Sequence, residues 1–525
     1  MKKERNFHAL KGNIVYSKSP DRLEILEKGY LVYEENKIEG VYPILPDEYE
    51  GILVEDYGDR LIVPGFVDLH VHAPQYTFRG LGMDMELLEW LETNTFPEES
   101  KYKDLKYAEA AYQIFVENLR KSATTRACIF ATLHKDATLL LMDLLEKAGM
   151  NTMVGKVNMD RNSPDYLCEE TEESAEETVA WIEEVQKRNY KNTKPILTPR
   201  FIPSCTDELM RKLKSIQVKY QLPMQSHLSE NYGEITWVQE LCPESQFYGD
   251  AYDQFGLFGK DCRTIMAHCV HSGLQEIERM KENGVFIAHC PESNTNLSSG
   301  VAPVRTYLQE GMHVGIGSDV AGGTTENLFA AMRYAIQSSK LRWRLKDDTL
   351  APLTMTEVFY MTTKGGGEFF GKVGSFEPEY EFDAVVLDDS RLKHPQEMSI
   401  SQRLERMIYL ADEREVYAKY VAGRQVVYNL NGGSFSDGSA LTEKHNEGEN
   451  VVVKSEPTRK GYKFTGWTVE GLDGVSSIDS GESFQMPNNN VTITANWEEQ
   501  KIEDFITLTP TDVTEVYNGE AHAAG

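Results

Sequence analysis

Two histidines close an apolar run, Pro64-Gly65-Phe66-Val67-Asp68-Leu69-His70-Val71-His72. In an extended strand, residues two apart project to the same side, so both imidazoles can reach one metal ion. Such a pair alone is weak evidence, because strand histidines often only satisfy hydrogen bonds. Three more apolar runs end in able side chains: His227 in Gln225-Ser226-His227, His268 near the end of 264–269, and Asp319 in Gly317-Ser318-Asp319. Four imidazoles and a carboxylate form a mixed nitrogen and oxygen set suited to zinc or ferrous iron. An open coordination position would hold water, whose pKa such a metal lowers from about 15.7 towards about 7.

Asp319 could both bind the metal and accept a proton from that water. Glu230 follows His227 by three residues, near enough to face the same pocket without being a ligand. It reads as a proton shuttle, taking a proton in one step and returning it in another. On an aromatic nitrogen heterocycle, this chemistry is hydrolytic deamination. Most of the other histidines read as ordinary hydrogen-bonded residues: His271, His313, His394, His445 and His522 lie off the strand ends or outside the core segment. His289, closing another apolar run, is a further candidate for the border of the pocket.

These side chains need a scaffold that collects strand ends. Apolar runs at 61–70, 127–132, 152–158, 195–201, 222–227, 264–269, 285–290 and 313–319 alternate with helical patterns. One clear intervening helix is predicted at 169–186. Eight strands each followed by a helix predict an α/β fold, a (β/α)8 TIM-type barrel with its chemistry at the C-terminal strand ends. Residues 1–63 and 375–427 read as the two halves of a small split β-sandwich around the barrel of 64–374. A C-terminal all-β module is expected at 428–498, and 499–525 reads as the start of a further repeat or a tail.

Composition excludes several function classes. Lys+Arg 54 against Asp+Glu 83 gives a formal charge of −29, which repels nucleic-acid phosphates and anionic lipid. No nucleic-acid or membrane partner is expected, and no stretch approaches the ~18 apolar residues of a membrane span. Seven cysteines without a Cys-x-x-Cys pair argue against a disulfide framework and fit a reducing compartment. The opening MKKERNFHALKGNIV lacks an apolar signal region. The expectation for the main body is cytoplasmic.

Over about residues 5–427 the chain resembles the amidohydrolase superfamily and, within it, the guanine deaminase family. The resemblance rests on the motif ending in His70 and His72, on His227, His268 and Ser318-Asp319, and on narrower motifs. Among the latter are Ala73-Pro74-Gln75-Tyr76, Leu88-Glu89-Trp90-Leu91 leading to Thr95-Phe96-Pro97, Thr198-Pro199-Arg200-Phe201 and Ala288-His289-Cys290-Pro291-Glu292-Ser293-Asn294. It implies a zinc enzyme with one ion per chain, iron being the alternative, that converts guanine to xanthine and ammonia as a homodimer in purine catabolism. It also implies that His70, His72, His227, His268 and Asp319 are the ligands and Glu230 the acid/base. Gln75, Arg200 and Phe201 take the purine-binding positions. A two-metal variant would need a carboxylated lysine ending the fourth strand, where Arg200 stands; Lys194 lies at the opposite end and Lys156 on the third strand. Glu292 departs from the pattern by adding a carboxylate beside a loop expected to border the pocket.

Residues 428–498, with Pro457-Thr458-Arg459-Lys460-Gly461-Tyr462-Lys463-Phe464-Thr465-Gly466-Trp467, resemble one Listeria–Bacteroides-type (InlB B-like) repeat of bacterial surface proteins. The module's own partner is not indicated. Two alternatives stand beside guanine deamination: a related deaminase or chlorohydrolase acting on another aminated heterocycle, and a surface or adhesion protein carrying the barrel as a passenger.

Overall fold

A computed structural model describes residues 7–421 and, of the remainder, 426–430, 433–435, 442–443, 450–472, 475–486 and 491–500. The chain divides into two compact units, 1–424 and 425–525.

In the first unit, β1 (Phe7–Ser19), β2 (Arg22–Glu34), β3 (Lys37–Tyr42) and β4 (Leu53–Pro64) build an N-terminal sheet. Two strands from much later in the chain, Asp383–Leu387 and Val416–Val421, join it beside β4, completing six strands. Their hydrogen bonds form one continuous sheet, with β1 antiparallel to β2 and parallel to β4. Its core joins both segments: the Tyr33 and Phe382 rings stack with centroids 3.7 Å apart. A helix not anticipated from the sequence, Ile400–Leu410, separates the two late strands and begins with a Ser399–Gln402 capping box.

The apolar run at 61–70 is divided between two sheets. β4 ends at Pro64, and β5 (Phe66–His72) starts a different, parallel sheet. Gly65 makes the crossing, because a Cβ there would lie 2.1 Å from Thr125 Oγ1. β5 is followed by β6 (Thr124–Phe130), β7 (Asn151–Gly155), β8 (Val157–Asn158), β9 (Thr193–Pro195) and β10 (Thr198–Pro199). Next come β11 (Met224–Leu228), β12 (Thr264–His268), β13 (Phe286–His289) and β14 (His313–Ile316).

The parallel orders are β5-β6-β7-β9 and β11-β12-β13-β14, with β8 and β10 extending the third and fourth positions. Backbone bonds tie the two groups at both ends. Leu197 bonds Pro223 and Gln225 at 2.9 Å, and on the other side Asp319 N–H donates to His70 O at 2.8 Å. β5 and β6 are buried at every position, as expected of parallel strands covered on both faces.

Amphipathic helices including Leu105–Lys121, Asp207–Tyr220 and Leu328–Leu345 alternate with these strands. The helix predicted at 169–186 occupies Thr171–Arg188. Its start is displaced because Glu169 turns inward, 2.6 Å from Lys156 Nζ. All seven cysteines are free, and among the described residues no helix is long and apolar enough to cross a membrane.

In the second unit, β15 (Asp383–Leu387) and β16 (Val416–Val421) having closed the first, β17 (Val426–Asn429), β18 (Thr442–Glu443) and β19 (Asn450–Val452) begin a run of short strands. It continues through β20 (Tyr462–Glu470), β21 (Ser477–Ile478), β22 (Ser483–Gln485) and β23 (Val491–Glu499). β20 and β23 form its antiparallel centre. Trp467 is buried, with its indole N–H donating to Ser480 Oγ at 2.9 Å. Phe464 packs edge-on against both Trp467 and Trp497, and Trp497 donates to Leu430 O. The side chain of Tyr428 and the stretch 501–525 lie outside the described residues.

Candidate active site

The strand ends bring all five expected ligands together. His70 and His72 project from β5, His227 from β11 and His268 from the last position of β12, while Asp319 follows β14. His70 Nε2 lies 3.1 Å and His72 Nε2 3.4 Å from Asp319 Oδ1, and His268 Nε2 lies 3.6 Å from Asp319 Oδ2. His227 Nε2 is 3.3 Å from His72 Nε2.

Both His268 (φ 74°) and Asp319 (φ 48°) adopt left-handed backbone, a conformation that costs about 1–3 kcal/mol for a non-glycine residue. Around Asp319 that cost is offset by Asp68, fully buried beneath the site. Its carboxylate accepts from His70 N–H at 3.1 Å, Ser318 N–H at 3.0 Å and the Ser318 hydroxyl at 2.5 Å. Asp68 thus links the end of β5 to the loop after β14, a role that sequence spacing did not reveal.

The donors fit a divalent cation. His227 Nδ1 lies 2.6 Å from the Arg200 carbonyl, so this nitrogen must be the donor and Nε2 turns a lone pair inward. His268 Nδ1 lies 2.9 Å from Asn294 Oδ1, which orients its Nε2 in the same way. His70 is fully buried, with Nε2 turned toward Asp319 Oδ1. Burial, followed by the neighbouring imidazole of His70, holds His72 and His227 well below the ordinary histidine range. Burial would raise Asp319, but the surrounding histidines outweigh it and hold the carboxyl far below its usual range. Two inward-facing imidazoles braced from behind, His227 and His268, together with His70, His72 and the Asp319 carboxylate, offer a nitrogen and oxygen donor set that a metal ion could use.

Glu230 borders this cluster with Oε2 3.3 Å from His268 Nε2, and its Oε1 accepts from the Ser299 hydroxyl at 3.2 Å. Burial, then the charge of Asp319, raises its carboxyl well above the carboxylate range. Behind it, Glu234 accepts from Glu230 N–H at 3.0 Å and from the Tyr248 hydroxyl at 2.6 Å. Burial raises Glu234 to about 7. The Asn231–Glu234 capping box of the helix Tyr232–Leu241 is the only sequence signal that could have singled it out.

One cavity joins the histidine cluster and Glu230 to Gln75, Arg200 and Phe201. Leu87, Trp90 and Leu91 from a short helical segment supply an apolar wall. Phe201 lies edge-on to Trp237. Arg200 forms a two-pronged pair with Glu99, at 2.7 and 3.1 Å. Gln75 Nε2 donates to the same Glu99 carboxylate at 2.9 Å. Glu99 was not anticipated, although it lies two residues past the Thr95-Phe96-Pro97 stretch.

Other candidates fall outside. His289 is buried and pushed down to about 3, but it joins neither of the metal-competent groups among the described residues. Cys290 lies beside His70, His268 and Asp319 and was not singled out as a donor; burial raises its thiol well above the ordinary range. Lys156 is committed to Glu169, Lys194 is exposed, and Glu292 accepts from Thr324 without lining the cavity.

Residues 61–426 match the amidohydrolase family, and residues 426–501 match the divergent InlB B-repeat domain. The chain is 36% identical over 455 residues to the guanine deaminase of Dictyostelium discoideum, covering 82% of this chain and 100% of that one. Against the guanine deaminase of Mus musculus it is 40% identical over 381 residues, covering 70% and 83%. The crystal structure of guanine deaminase from C. acetobutylicum, with guanine bound in its active site, superposes with a TM-score of 0.77 at 48% identity, covering 80% of this chain and 99% of that one.

Proposed function

This chain belongs to the amidohydrolase family, and on that premise we infer that it hydrolyses guanine to xanthine and ammonia. The observation that carries this reading is the cavity in which Gln75 and Arg200 share one space with the histidine–aspartate cluster and Glu230. Donors on one side suit the acceptor atoms of a 6-oxopurine. Phe201 supplies an aromatic surface for the base. The eight parallel strands are taken as a single (β/α)8 barrel, in which chemistry belongs at the C-terminal strand ends. The domain limits proposed are 64–374 for the barrel, flanked by the sheet segments of 1–63 and 375–427.

His70, His72, His227, His268 and Asp319 are proposed to hold one zinc ion per chain, with ferrous iron the alternative. When bound, such an ion lowers the pKa of water at the site towards about 7.

The chain's own residues divide the remaining work. Arg200 and Gln75 hold the base so that its C2 faces the histidine cluster, and Phe201 limits its tilt. Water adds at C2, and Asp319 is placed to orient that water. Both protons come from that water. Asp319 accepts the first as the oxygen bonds to C2, and Glu230 gives one to the adjacent ring nitrogen. The second, lost from the new C2 hydroxyl as the carbonyl forms, is carried by Glu230 to the amine while the C–N bond breaks, so ammonia leaves as a neutral molecule. The apolar wall of Leu87, Trp90 and Leu91 excludes bulk water and strengthens each of these polar contacts.

A homodimer acting in cytoplasmic purine catabolism is the proposed setting. The assignment is tested by offering the metal-loaded protein guanine, adenine, cytosine, ammeline and adenosine in parallel. Turnover confined to guanine supports it; preference for another aminated heterocycle replaces it with the related-deaminase reading.

A further inference from the structure

Glu99 stands just behind the base-binding wall. It is 1% exposed and does not line the cavity, whereas its partners Gln75 and Arg200 do. One carboxylate oxygen, Oε1, accepts from both Arg200 and Gln75, and the other accepts from Arg200 alone. The Phe96 ring, 5.3 Å from the guanidinium carbon, flanks the arginine.

The consequence lies in what remains for a ligand. A guanidinium carries five N–H donors, so two committed to Glu99 leave three in a fixed orientation. A glutamine amide can be donor or acceptor toward a pocket, depending on which way it is turned. Here Glu99 takes one Nε2 hydrogen and Ala321 N–H donates to Oε1 at 3.3 Å, so both ends of the amide are specified. The remaining Nε2 hydrogen is the donor available to the cavity. Carboxylate and guanidinium also neutralise each other in a buried wall.

We propose that Glu99 is a specificity-determining positioning residue: by holding Arg200 and orienting the Gln75 amide, it makes the pocket present donors and select a base with acceptors on the facing edge. This inference rests on the guanine reading given above. A purely structural Glu99 would support all substrates equally. A positioning Glu99 would discriminate between guanine and 2,6-diaminopurine, which keeps the reacting 2-amino group but replaces the acceptor at C6 with a donor.

The experiment compares kcat/KM for these two bases in the metal-loaded full-length protein and in Glu99→Gln, with metal content and melting temperature recorded. The glutamine can donate where the carboxylate only accepts, releasing the Gln75 amide to turn over. The guanine preference is expected to fall by about tenfold or more, mainly through KM, since unpaired buried donors and acceptors are what give such sites their selectivity. Equal slowing of both bases, with the preference within about twofold of the parent, would overturn the proposal. Should Glu99→Gln fail to fold, Gln75→Leu retains the Arg200–Glu99 pair; it should lower the preference likewise, and an unchanged ratio would overturn the proposal. A parent protein inactive on guanine would remove the guanine reading and this inference with it, whereas an active parent with an unchanged ratio removes the inference alone.

Discussion

His72 and His227 face each other with their Nε2 atoms 3.3 Å apart, while His227 Nδ1 is engaged by the Arg200 carbonyl. An imidazole whose Nδ1 donates to a carbonyl, and which stays neutral, has only a lone pair at Nε2. A cation between such nitrogens resolves their mutual repulsion. The Arg200 main chain thus orients one imidazole of the histidine cluster, while the Arg200 side chain lines the same cavity.

Loss of His227 should therefore disrupt metal binding directly. His227→Ala is expected to weaken affinity by more than the roughly 10- to 100-fold typical of losing an outer partner. Competition against a chromophoric chelator measures this. Retention of one tightly held equivalent would contradict the assigned ligand set.

Asp68 offers a complementary test because it touches no ligand through its side-chain contacts except at the His70 backbone. Asp68→Asn retains the size but replaces an acceptor oxygen with a donor facing Ser318 or His70 N–H. Metal affinity should fall about 10- to 100-fold, with a lower melting temperature. Unchanged affinity would mean that the left-handed turn at Asp319 is held by other contacts.

The clustering of the five residues proposed to hold the metal was legible because each lies at or just past the end of an apolar run that became a parallel strand. Glu99 and Asp68 were not. Glu99 meets Arg200 across 101 positions of sequence, and Asp68 meets Ser318 across 250, so no local spacing records either pair. The break at Gly65 was hidden for another reason: β4 and β5 are both buried around it, leaving no change of hydropathy pattern where the chain passes from one sheet to the next. Glu169 looked like a helix residue on an acidic surface, but Lys156 draws its carboxylate inward.

His134 provides a prediction about acid stability. Burial pushes its imidazole down to about 4, and Nε2 has no hydrogen-bond partner among the described residues. With an unfolded value near 6.5, the unfolded chain binds this proton more readily, so stability is lost as pH falls from about 6.5 towards 4. His134→Gln should lessen the acid-induced loss by about 1 kcal/mol, since the partly exposed ring is screened by solvent. Denaturant midpoints at pH 7 and pH 4.5 measure it, and parallel losses in parent and variant would contradict a half-buried imidazole that stays neutral in the folded chain.

Glu230→Gln separates proton transfer from metal binding. The amide retains the shape and can still meet Ser299, but it cannot shuttle a proton. Metal content should remain at one equivalent while kcat falls by about 10²- to 10⁴-fold. Near-parental turnover would remove Glu230 from the proposed proton path.

The most direct test is to incubate the metal-loaded protein with guanine in ¹⁸O-labelled water and follow ammonia together with the mass of the purine product. Hydrolytic deamination yields xanthine carrying one solvent oxygen, formed in equal amount with ammonia. Unaltered guanine despite bound metal, or a product without solvent oxygen, would contradict hydrolytic guanine deamination.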